Sequence, residues 1–135
     1  TFLRGDNAWA AAGISSTIEN FTRTASAGAG TQSLTGAGFT PKAAFFIAGD
    51  GNAAGSWGFI DDANNRRNMY HNAQNGSMTT TIFSLSGSEI MNVRNNTSGS
   101  NQMYAQGSLT SNGVDIVWSK SNSGVDVTGY VMYLG

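Results

Sequence analysis

What most limits the fold of this chain is the rhythm of its apolar runs. They are strand-length, and each is closed by Gly, Asn, Asp or Ser. Thr79 to Leu85 shows the pattern. Thr79, Thr81, Phe83 and Leu85 fall on one face of a strand, and Thr80, Ile82 and Ser84 on the other. No stretch makes a convincing helix. The chain therefore reads as all-β, an antiparallel β-sandwich, jelly-roll-like, built from about ten short strands. No fixed-period internal repeat divides it.

Further strands are expected at Ser15 to Thr24, at Gln32 to Phe39 (broken by Gly36 and Gly38), at Ser56 to Asp61 and at Glu89 to Arg94. Three more are expected at Gln102 to Leu109, Val114 to Ser119 and Val127 to Leu134. Within Lys42 to Ala48, the residues from Ala43 onward are continuously apolar, which predicts the most buried strand. Pro41 marks a boundary or an edge. Gly49-Asp50-Gly51-Asn52 is a turn cluster. Asn112-Gly113 predicts a type I′ hairpin, whose two central residues both need positive φ. Asp62 to Gly76 reads as an Asn-rich loop. Residues 1–13 form a lead-in, either a short helical turn or an extended arm, ahead of a sandwich domain at 14–135.

A chain of 135 residues argues for one domain. Only 11% of residues are charged, against roughly a quarter in ordinary globular domains. Gly, Ser, Thr and Asn fill 61 positions, a bias that can signal disorder. Against that, 39% of residues are hydrophobic and the aromatics sit in regularly spaced short runs. An ordered, turn-rich domain with a weakly charged surface follows. Net charge is −1, and Arg66-Arg67 is the one adjacent basic pair, so the basic patch of a nucleic-acid binder is missing. No apolar run approaches the roughly 20 residues needed for membrane insertion. Zero cysteines exclude disulfides and thiolate chemistry. Thr1 is compatible with a mature start and equally with the start of a fragment.

Nothing in the sequence assembles a catalytic or metal centre. His71 is the only histidine; it lies in a polar stretch without a nucleophile motif. One His and no Cys fall short of a zinc ligand set. Paired carboxylates for glycoside hydrolysis would come from Glu19, Asp50, Asp61, Asp62, Glu89, Asp115 and Asp126, a sparse set for that chemistry. Asp50-Gly51-Asn52 and Asp61-Asp62 carry Ca²⁺-type oxygen ligands, but the same pattern is common in turns. The expectation is no enzyme, no cofactor and no metal. The sequons at Asn20, Asn75, Asn95 and Asn96 are chance matches in so Asn- and Ser-rich a chain.

Phe39, Phe45, Phe46, Phe59, Phe83 and Trp118 are expected in the core. Trp57, Tyr70 and Tyr104 sit nearer loops or strand ends. Exposed aromatics flanked by amides often hold carbohydrate or protein receptors. The candidate partner contacts are therefore Trp57, Arg66, Arg67, Tyr70, His71 and Tyr104, with segment 62–76 as the favoured surface.

Phe2-Leu3-Arg4-Gly5-Asp6-x-x-Trp9 closely resembles the "FLRGDGTW" segment of bacteriophage tail fibres and related virion appendage proteins, with Asn7-Ala8 in place of Gly-Thr. Gly30 to Phe46 resembles the "GtqsvtGvGFtPkavlff" segment of a phage-associated β-sandwich family. That pattern continues with "WGF.D", "GFtlnWt" and "gYlalG". Here Trp57-Gly58-Phe59-Ile60-Asp61, Gly113 to Ser119 and Gly129 to Gly135 follow in the same order. Val114-Asp115 departs from the aromatic of the pattern, and residues 62–78 have no counterpart.

The resemblance implies a structural virion protein, displayed on the phage particle surface and made in the bacterial host cytoplasm. It implies a homotrimer, with Phe2, Leu3, Arg4, Asp6 and Trp9 as assembly contacts. Arg4-Gly5-Asp6 also spells the tripeptide read by animal integrins, but the appendage reading accounts for it better. Two roles stay open: a tail-fibre or appendage domain that binds a bacterial surface glycan or protein, and a decoration (cement) or head-fibre protein. Either would contact other virion proteins.

Overall fold

The computed structural model describes residues 2–3, 9–10, 13–52, 54–73, 81–94 and 101–135; of these, 2–3, 9–10, 72–73 and 81–86 are described as backbone. Ten strands build two antiparallel sheets, so the chain is an all-β sandwich. The larger sheet holds β3 (Ser16–Arg23), β5 (Ala43–Gly49), β6 (Gly55–Asp61), β7 (Arg66–Ala73), β8 (Thr81–Ser86) and β12 (Val127–Leu134), in the order β3-β12-β5-β6-β7-β8. The smaller holds β4 (Gly30–Leu34), β9 (Met91–Arg94), β10 (Gln102–Thr110) and β11 (Gly113–Ser121), in the order β4-β11-β10-β9. β5 to β8 form a meander, and the chain changes sheet between β3 and β4, β4 and β5, β8 and β9, and β11 and β12. The first of these crossings contains a single 3₁₀ turn, Ala25–Ala27. Among the described residues no helix is long and apolar enough to cross a membrane.

Period-two alternation decides which side chains enter the core. In β12, Val127, Val131 and Tyr133 are buried and Thr128, Tyr130 and Met132 face out. In β11, Val114, Ile116 and Trp118 are buried. Phe46, Ile60, Ile90 and Met103 meet them between the sheets. Two large core residues carry polar handles, and both handles are satisfied. The Trp118 indole N–H donates to Gln32 Oε1 at 2.9 Å. The Tyr133 hydroxyl donates to Glu19 Oε2 at 2.9 Å, and the same carboxylate oxygen accepts the Gly36 N–H.

Four expectations change. The run Ala43 to Ala48 lies mid-sheet, but only one of its faces is buried: Ala44, Phe46 and Ala48 point in, while Phe45 and Ile47 point out. Phe59 is likewise half-buried on the outward side rather than in the core. Asp62 to Gly76 is not a loop throughout. After a short turn it becomes β7, paired on both edges by β6 and β8. Ladder bonding on both sides overrides the weak strand preference of Asn, and the amide of buried Asn68 donates to Glu89 O at 2.9 Å.

The hairpin at Asn112-Gly113 exists but is not type I′. Thr110 pairs with Gly113 around Ser111-Asn112, and neither Asn112 nor Gly113 has a positive φ. Gly113 is required instead by close approach, since a Cβ there would overlap Leu34 O. Of the lead-in, residues 2–3, 9–10 and 13 are described. β1 (Phe2–Leu3) and β2 (Trp9–Ala10) pair antiparallel, with Leu3 opposite Trp9. Arg4 and Asp6 lie outside the described residues, as do the side chains of Phe2, Leu3, Trp9 and Phe83.

Candidate functional site

The described aspartates serve the fold's own turns and edges. Asp50 Oδ1 accepts the backbone N–H groups of Asn52 and Ala54. Asp61 Oδ1 accepts those of Ala63 and Asn65, while the Asn65 side-chain amide donates to Asp61 Oδ2. The Asn65 side chain first, and then these backbone donors, hold the Asp61 carboxyl below its ordinary pKa. Asp62 pairs with Lys42 at 3.1 Å. Asp115 accepts the Ser33 hydroxyl, and Asp126 accepts the Ala25 N–H. Among the described residues no three His, Cys, Asp or Glu side chains gather as a metal site.

The six sequence-derived contact candidates fall on three different surfaces. Trp57, Arg67 and His71 share the outer face of the six-stranded sheet. Trp57 and His71 have ring centroids 5.5 Å apart. Arg67, on the neighbouring row, donates to Arg66 O and to Gly87 O. The other two β7 candidates point the opposite way. Tyr70 is buried, with the Arg94 guanidinium 5.3 Å from its ring centroid. Arg66 reaches across to Gly107 O in the smaller sheet. Period-two geometry splits adjacent residues in this way, so Arg66-Arg67 and Tyr70-His71 cannot act as paired contacts. Tyr104 lies on the outside of the smaller sheet, beside Gln102 and Gln106 on the same strand face.

The outer face that gathers Trp57 is larger and more apolar than these candidates suggest. One cross-strand row reads Ile18, Met132, Phe45, Phe59, ending at Arg67. The next reads Asn20, Tyr130, Ile47, Trp57, Met69. The Phe45 and Phe59 rings pack at 5.2 Å. Beside these rows Gly49 and Gly55 stand opposite each other, leaving a trough of about 490 Å³ flanked by Ile47 and Tyr130. Sequence reasoning missed Ile18, Ile47, Met69, Tyr130 and Met132. A usable signal was present in β5, where both alternating sets are apolar.

The arrangement suits binding by shape and apolar contact. Comparison with protein-family models, with curated proteins and with solved structures gives no match.

Proposed function

We propose that this chain is a non-enzymatic structural domain of a bacteriophage virion, of the tail-fibre or appendage type, that associates as a homotrimer and contacts the bacterial surface. The observation that carries the reading is where the motif segments fall in the sandwich. The segments at 30–46, 57–61, 113–119 and 129–135 supply β4, β5, β6, β11 and β12. Of these, β12, β5 and β6 are consecutive in one sheet, and β4 and β11 are paired in the other. The residues that carry the resemblance thus form one packed unit rather than scattered matches.

Contact with a surface glycan or protein is assigned to Tyr104, an aromatic ring flanked by the amides of Gln102 and Gln106 on a rigid strand. The alternative role, capsid decoration, is favoured by the apolar outer face of the larger sheet, which could clamp neighbouring head subunits. Immunogold labelling of intact virions with an antibody against this chain separates the two. Label at the tail or fibre tips is the expected result. Label spread evenly over the head would replace the appendage role with decoration, and unlabelled virions would remove both.

A further inference from the structure

The two outer faces of this sandwich obey different rules. An antiparallel sheet with one solvated face normally places polar side chains on that face. The smaller sheet largely follows the rule: Thr31, Ser33, Asp115, Ser119, Gln106 and Ser108 face outward, with Val117 and the half-exposed ring of Tyr104 as the exceptions. The larger sheet breaks it. Ile18, Phe45, Ile47, Trp57, Met69, Tyr130 and Met132 all point outward and are between 38% (Met132) and 66% (Ile18) exposed. They are contiguous by strand register across β3, β12, β5, β6 and β7.

At about 200 Å² for a fully exposed large side chain, these seven leave roughly 700 Å² of surface open, more than monomers usually expose in one patch. A standard specific interface takes about 800 Å² from each partner. Two such faces together therefore approach the area a stable self-association needs. The face also carries almost no charge, with Arg67 closing one row at its margin. Two identical faces would meet without like-charge repulsion, whereas a charged partner would find little to pair with. The rows of large side chains beside the Gly49–Gly55 trough offer ridges and a depression on the same surface.

We infer that the outer face of the six-stranded sheet is the contact between copies of this chain, turned toward the same face of the neighbouring copies around the rotation axis of the assembly. It rests on the sheet alone, so it stands or falls independently of where virions are labelled.

Sedimentation velocity at micromolar concentration tests it. The parent chain should sediment as a dimer or trimer. Ile47→Glu should weaken association by at least about 100-fold, as charge placed at the centre of a desolvated interface does. Val117→Glu, on the other sheet, should leave assembly intact. Circular dichroism checks that each variant keeps its β-sheet signal. Because the chain contains no cysteine, single-cysteine variants cover the case in which Ile47→Glu fails to fold. Tyr130→Cys should cross-link copies with a short bis-maleimide, each maleimide adding one thiol, and Val117→Cys should not. A monomeric parent overturns the inference. So does an assembly that survives a folded Ile47→Glu, or one that cross-links only through position 117. A monomer that assembles only after residues 1–12 are deleted would show instead that the chain's own lead-in covers the face.

Discussion

At the scale of single residues, two buried side chains hold the sandwich through polar handles. Trp118 is almost wholly buried, tilted against Phe21 at 6.2 Å, and its N–H ends on Gln32. Removing the indole leaves a large void between the sheets, so Trp118→Ala should cost about 3–5 kcal/mol in urea unfolding. Tyr133 couples stability to pH. Burial foremost, and then the hydrogen bond to Glu19 and its charge, raise the phenol above its ordinary value of 10.0. The protonated phenol is therefore favoured by the fold. Its contribution is fully present below about pH 10 and is lost as pH rises toward the raised folded value. Tyr133→Phe should cost about 1–2 kcal/mol at neutral pH, since a hydrogen bond to a carboxylate is lost. It should also flatten the decline in stability above pH 10. Unfolding curves for both proteins from neutral pH to about pH 11 check this; a mutant whose alkaline decline matches the parent's would refute the coupling.

At the scale of elements, the segment entering β9 acts as a wedge. Ile90 is fully buried, and its N–H donates to Ala105 O at 2.8 Å. A Cβ on Gly58 would overlap the Ile90 carbonyl, and one on Gly107 would come within 2.6 Å of Ile90 Cδ1. One glycine in each sheet thus makes room for the wedge. The obstacle at Gly58 is backbone, which cannot swing aside as a side-chain tip can. Gly58→Ala should therefore cost about 3 kcal/mol or more, and Gly107→Ala about 1–3 kcal/mol because the Ile90 side chain can shift. Thermal unfolding of the two variants should rank them in that order.

Most strands were legible from the same alternation that places Val127, Val131 and Tyr133 in the core. β7 was not, because its Asn-rich residues become a strand only through pairing on both edges. The Gly58 wedge was not either, because it depends on a contact with Ile90, far along the chain.

At the scale of the whole molecule, the candidate site was legible only in part. Aromatic content pointed to Trp57, but sequence order grouped it with Arg66 and Tyr70, which strand geometry turns inward. The face became visible once register aligned Tyr130, Ile47, Trp57 and Met69 across four strands. Its composition fixes how self-association should respond to solution conditions. Exposed ion pairs are screened by salt, with a Debye length of about 10 Å at 0.1 M and about 3 Å at 1 M. An interface built on these rows has little charge to screen. Apolar burial is instead strengthened by excluded salts such as sulfate. Association should therefore hold constant as sodium chloride rises to about 1 M and tighten in ammonium sulfate. Because the assembled form is favoured by mass action, the unfolding midpoint should also rise with protein concentration. Sedimentation and thermal unfolding across a salt and concentration series read both effects. Dissociation in sodium chloride would mean that charged groups outside the two apolar rows hold the copies together.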